Sequence, residues 1–230
     1  KSHIETLASG EKVATLVHGG SVFVPSARAA DFFLIVDREA GVRLVTAADA
    51  TIEAVKAADR SRPVSKVAIP ADAGETLFAA SDPMTGCLVD AALVLVAADA
   101  LGGAQALTDM SVAYAKEREQ FGQPIGRFQA LKHQLAHMAL DVEPARALLW
   151  YAAYAWDAGL PDAPRAAAMA KAHLCDIYVR STRAAVAAHG GIGYTWEYGL
   201  HYWFRRAAFD RAWLGSPAAH RARAAVLAGW

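Results

Sequence analysis

Residues 114–129, YAKEREQFGQPIGRFQ, mark where the long helical signal of the chain stops, turns and restarts, and their reading decides the fold. Upstream, Leu93, Val96, Ala100, Ala104, Leu107, Ser111 and Tyr114 recur every three or four positions, which lines them along one helix face. Gly122 and Pro124 then end that helix. Arg118 falls in its last turn, where a cation supports the negative end of the macrodipole, and Phe121 projects from the corner. A second helix starts near Phe128. The pair Arg118 and Phe121 has two readings. One is a helix stop with a solvated charge; the other is a guanidinium set to take a phosphate oxygen beside an aromatic surface for a ring. The corner alone leaves both open.

Working outward, the composition divides the chain near residue 88. Before it, short β-branched or aromatic runs lie between turn formers: SVFVP at 21–25, FFLIV at 32–36, VRLV at 42–45 and VSKVAIP at 64–70. These predict an antiparallel sheet or small barrel over residues 1–87. FFLIV is apolar throughout and predicts a strand covered on both faces, whereas VSKVAI alternates and predicts one wet face. Residues 88–230 read as helical throughout, with helices over about 89–118 and 127–158. Pro144 predicts a kink in the second. Asp162 and Pro164 open a third helix that stops at Gly190 and Gly191; Thr195 is expected to cap a fourth, reaching Leu214. The fold class is therefore α+β, a small antiparallel β-domain followed by a C-terminal four-helix bundle. The bundle is rich in alanine, and association into an oligomer would supply core it lacks.

With 23 basic and 23 acidic residues in 230, the chain has no net charge, which argues against nucleic-acid binding. Cys87 and Cys175 follow no metal-ligand spacing and read as reduced thiols. Charges interrupt every apolar stretch, so no membrane span is expected, and the N-terminal run KSHIETLASGEK has no signal-peptide character. A cytoplasmic protein is the expectation.

Among residues able to carry chemistry, His133 and His137 form an i, i+4 pair with no evident third ligand, so no metal is expected. In HGGIGYTWE, Gly190 serves as a helix stop, and the further glycines would let a backbone approach a ligand. Arg205 and Arg206 read as structural ion-pair residues. No Ser/His/Asp order, phosphate loop or Cys/His cluster is present.

Three runs together, YAKEREQFGQPIGRFQALKHQLA, HGGIGYTWEYGLHYWFRRA and AWLGS, resemble the C-terminal helical domain of the acyl-CoA dehydrogenase family. VFVPSARAADFFLIV and DRSRPVSKVAI resemble, more loosely, its middle β-domain. The resemblance implies FAD as cofactor and α,β-desaturation of an acyl-CoA substrate, with an electron-transferring flavoprotein as oxidant and a homo- or hetero-oligomer as the active form. It further implies that Arg118, Phe121 and Gln129, with the backbone at Gly190 and Gly191, meet the FAD of a neighbouring subunit.

Three departures qualify what the resemblance implies. Leu214 stands where the family's usual catalytic Glu falls, and Ala92 where some members carry it instead; Asp90 and Asp99 are the nearest carboxylates. Ala187 replaces a Gln that contacts the cofactor. The family's N-terminal helical domain is expected to be absent and the stretch between Thr15 and Ser21 is short, so the chain is expected to be a reduced subunit or a part of a longer product.

Overall fold

The computed structural model describes residues 2–37 and 39–230, and it is mixed α+β. Two compact units divide between Val89 and Asp90.

The first unit opens with helix α1 (Ser2–Ala8) and continues through seven strands: β1 (Ala14–His18), β2 (Phe23–Pro25), β3 (Phe32–Asp37), β4 (Gly41–Thr46), β5 (Thr51–Ala54), β6 (Val64–Ala68) and β7 (Glu75–Phe78). They form two sheets, ordered β1-β3-β4-β7 and β2-β6-β5. Side chains that alternate inward from both sheets make the core. Val17, Phe33 and Val45 come from one sheet and Val24 and Val67 from the other, with Ala27 and Ala30 beside them. β3 is the FFLIV run, and no residue of it is exposed; in β6 Ser65 and Val67 are buried while Lys66 and Ala68 face out, the alternation expected of a strand with one wet face. The one departure from an antiparallel unit is β1, which pairs with β3 in parallel, from Ala14 opposite Phe32 to His18 opposite Val36. The connection between them passes through the second sheet, a long-range pairing that no local pattern announces.

The second unit takes α2 (Pro83–Glu117) from Asp90 onward and adds α3 (Gln129–Asp157), α4 (Ala163–His189), α5 (Leu200–Ala212) and α6 (Pro217–Leu227). Beyond the four helices that the sequence predicts, the segment after Gly215 forms a fifth. Ser216 caps it, its Oγ accepting from Ala219 N–H, with Pro217 in the first turn. α4 is the central element: it packs against α3, α5 and α6 and buries Ala167, Ala170, Leu174, Ile177, Tyr178 and Ala185. On α2 the predicted face is the buried one, since Leu93, Val96, Ala100, Ala104, Leu107 and Ser111 are all nearly inaccessible. At Gly103 a Cβ would lie 2.3 Å from the Tyr178 ring, so glycine is what lets this buried tyrosine seat against α2. α3 is helical from Gln129 to Asp157, with Pro144 inside it.

Two capping expectations change. Asp162 occupies the N-cap position of α4 but its side chain caps nothing; it accepts instead from Tyr151 Oη at 2.6 Å and pairs with Arg165. Thr195 lies outside any helix, donating to Ile192 O and accepting from Tyr198 N–H, and Gly199 at φ 81° opens α5. Charges along an apolar stretch do not by themselves rule out a membrane span. α2 contains a window of mean hydropathy 1.8 and is long and apolar enough to cross a membrane by length and composition alone. However, 56% of that window is buried. Its aspartates Asp90 and Asp99 are ion-paired to arginines of α6 and α5, as suits the core helix of a bundle.

Candidate cofactor-facing site

The run at 114–129 is a hairpin rather than a bare helix corner. After α2 ends at Glu117, two short strands, β8 (Glu119–Gln120) and β9 (Gln123–Pro124), pair antiparallel around a two-residue turn. Phe121 and Gly122 are that turn, both at positive φ, 55° and 75°. Positive φ at both central residues is the signature of a type I′ turn, which favours Asn-Gly and seldom holds a bulky residue. Phe121 is nevertheless 91% exposed, touching Phe128 edge-on with centroids 6.0 Å apart. A large apolar side chain held out in a strained conformation has little to do for the fold of its own chain. The hairpin base is firm: Ile125 N–H donates to Arg118 O at 2.8 Å, and a Cβ on Gly126 would sit 2.8 Å from Ala115 O.

Arg118 is exposed beside this turn, and among the described residues no carboxylate lies within ion-pair distance of it. Gln129 begins α3, also exposed, its amide 3.3 Å from His133 Nε2. At the end of α4, Gly190 adopts φ 63° and ψ −140°, a region that only glycine enters comfortably, and its N–H reaches back to Ala187 O and Val186 O. Gly193 is required from within, because a Cβ there would lie 2.9 Å from Val186 O. Gly191 is required by nothing in this chain: its φ is ordinary and a Cβ would meet open space. Open backbone at a helix end, an exposed guanidinium and an outward aromatic ring each suit a phosphorylated ligand with planar rings that arrives from outside the chain.

The structure ties these elements together through residues that sequence reasoning missed. Tyr114, one turn before Arg118, stacks on His189, which directly precedes Gly190, at 4.4 Å between centroids. Tyr198 closes the group, 6.1 Å from Tyr114 and 4.9 Å from His189. His189 Nδ1 lies 2.7 Å from Ala185 O, so that nitrogen donates, and burial holds the imidazole pKa below its ordinary value.

The carboxylates weighed as bases are occupied. Asp99 is gripped by Nε and Nη2 of Arg206 at 2.9 and 2.6 Å, and buried Asp90 lies 2.7 Å from Arg223. Arg205 lies over the Trp196 ring at 4.8 Å. Leu214 is buried at φ 59°, with Gly215 after it at φ 105°. Their turn is pinned from below: His220 Nε2 donates to Leu214 O at 2.9 Å, and the wholly buried Lys171 donates to Asp210 O and lies 3.5 Å from Gly215 O. Burial lowers the Lys171 pKa and pushes the neighbouring Cys175 thiol up to about 11. Among the described residues no group of three metal-ligating side chains converges, and the His133 and His137 pair stands without a third ligand.

The chain is thus a two-sheet unit followed by an alanine-rich helical bundle that carries an arginine–aromatic hairpin and a glycine turn. Residues 89–226 match the acyl-CoA dehydrogenase C-terminal domain, and the chain belongs to the acyl-CoA dehydrogenase family. It is 35% identical over 214 residues to acyl-CoA dehydrogenase IpdE2 of Mycolicibacterium smegmatis, covering 93% of this chain and 63% of that protein. Among solved structures it superposes on butyryl-CoA dehydrogenase from Megasphaera elsdenii with a TM-score of 0.87 at 21% identity, over 100% of this chain and 71% of that one. It also matches a Tcur3481-Tcur3483 steroid ACAD variant with a TM-score of 0.81 at 27% identity, over 94% of this chain and 62% of that one. The chain thus spans less than two thirds of the curated relative it matches over most of its length. FAD is the cofactor that goes with this family, and the exposed Arg118, the outward Phe121 and the open glycine turn fit it.

Proposed function

We propose that this chain is a subunit of a heteromeric, FAD-dependent acyl-CoA dehydrogenase, in which it presents the cofactor-facing surface and a partner subunit supplies the catalytic base. Residues 1–87 then stand for a shortened middle β-domain, and residues 88–230 for the helical domain with the FAD and oligomer contacts. The observation that carries the reading is the combination of an outward, strained Phe121 beside a free Arg118 with an apolar Leu214 at the base position.

In this reading Arg118 holds a phosphate oxygen by charge-assisted hydrogen bonds, and Phe121 covers a ring face from the neighbouring side. Gln129 supplies an amide to the same ligand. Gly190 and Gly191 offer backbone without side-chain obstruction. When bound, FAD supplies the hydride acceptor for the β-hydrogen, and a partner carboxylate takes the α-proton. Leu214 cannot take that proton, and its turn is held by His220 and Lys171. Asp90 and Asp99 give their charge to Arg223 and Arg206, which supports a base from elsewhere. The likeness to a steroid ACAD variant favours a bulky acyl group, and the reaction sits in the cytoplasm with an electron-transferring flavoprotein as oxidant.

The test is to purify the chain alone and together with the product of its adjacent reading frame, then measure flavin content and acyl-CoA desaturation. The reading predicts flavin and turnover only in the complex. Full desaturation by the chain alone overturns the partner base.

A further inference from the structure

The hairpin and the glycine turn belong to elements far apart in sequence, and a surface made of both must be held in register by something. We infer that Tyr114, His189 and Tyr198 form an aromatic clip that presents Arg118, Phe121, Gly190 and Gly191 as one ligand-facing surface, with His189 as a neutral positioning residue. The inference rests on the proposed flavin reading and adds to it residues that touch no ligand themselves.

The backbone places the clip at both elements at once. Arg118 N–H donates to Tyr114 O at 2.8 Å, so the Tyr114 ring and the start of the hairpin share one turn of α2. His189 is the last residue of α4, and the next residue is Gly190. The Tyr114 and His189 rings lie 4.4 Å apart at 26°, a stacked contact, and Tyr198 meets His189 at 52° from the segment that follows the glycine turn. Three rings from three segments therefore meet behind the surface.

His189 is built to stay neutral. A carbonyl oxygen only accepts, so the 2.7 Å contact with Ala185 O places a hydrogen on Nδ1 and leaves Nε2 as a lone pair. Nε2 is buried without a hydrogen-bond partner among the described residues, and an imidazolium would put an unsatisfied N–H there. A neutral ring with a fixed tautomer stacks face to face with Tyr114 at a lower desolvation cost than an imidazolium would. The Nδ1 bond also fixes the ring's rotation relative to the helix end that carries Gly190.

The experiment uses the complex of the full chain with its partner subunit and measures the FAD dissociation constant by flavin fluorescence, with thermal unfolding in parallel. Tyr114→Leu and His189→Leu should each weaken FAD binding by about tenfold, and the double variant by little more than either alone, because both break one device. His189→Phe keeps the stack without the Nδ1 bond and should recover most of the affinity lost in His189→Leu; a residue that merely filled space would give no such order. Wild-type FAD affinity in both leucine variants overturns the clip, as does a double variant whose loss is the product of the single losses. A wild-type complex that takes up no FAD overturns the flavin reading itself, and the clip with it.

Discussion

Replacing Phe121 by Asn separates what the hairpin does for the chain from what it does for a ligand. Phe121 sits at φ 55° in a two-residue turn followed by Gly122 at 75°. For an L-residue with a bulky side chain the left-handed region costs roughly 1–2 kcal/mol, which Asn largely avoids, and Asn-Gly is the preferred pair for this turn. Against that gain stands the edge contact with Phe128 at 6.0 Å, worth about 0.5–1.5 kcal/mol for an aromatic pair. Little burial is lost, because the side chain is 91% exposed. The two terms leave the variant between about 0.5 kcal/mol less stable and about 1.5 kcal/mol more stable, a shift in Tm of roughly −2 to +6 °C for a chain of this size. The same substitution should strip FAD from the assembled complex, since the ring surface is gone. Thermal unfolding of the chain and flavin absorbance of the complex are the two assays. A loss of more than about 1 kcal/mol would show that Phe121 serves the fold, and full flavin retention would show that it does not face the cofactor.

Further outcomes follow from the ion pairs and buried groups. Asp99→Asn breaks the bidentate contact with Arg206 and should lower stability by about 1.5–3 kcal/mol while flavin and turnover persist; turnover lost with flavin retained would instead make Asp99 the base. His189 and His220 both have pKa values held below 6.5 by burial, so the unfolded chain binds protons first as pH falls. Their contribution is complete above pH 6.5 and is lost as pH drops through the depressed folded values. Tm should therefore decline over that window, and a His220→Gln chain should decline less steeply; an unchanged slope removes His220 from the account. Native thiol titration should count one reactive cysteine, exposed Cys87, and two after denaturation, because Cys175 is buried with its thiol pKa pushed up to about 11.

What the sequence disclosed and what it hid differ for physical reasons. The α2 face was legible because its apolar residues repeat at the helical period over many turns, and β3 and β4 because β-branched runs stand between turn formers. β1, β5 and β7 are short and carry polar residues, ATLVH, TIEA and ETLF, so no alternation separates them from loop. The hairpin was hidden for a related reason. Its strands are two residues long, and a phenylalanine fills the position where a turn of this type announces itself with Asn. Pairings across the bundle leave no local trace either: Asp99 meets Arg206 and Tyr114 meets His189 only once the helices pack. Gly190 and Gly191 show the opposite limit. The sequence marks both as unusual, but only the backbone separates the glycine that its own chain requires from the one that leaves open space.

The central claim is that the surface around Arg118 completes a flavin site in an assembly. Its most direct test is the flavin content of the complex formed by this chain and its partner, wild type against Arg118→Ala, with assembly checked by gel filtration. The account predicts a flavin-loaded wild-type complex and an Arg118→Ala complex that assembles but loses most of its flavin. Equal flavin in both would contradict it.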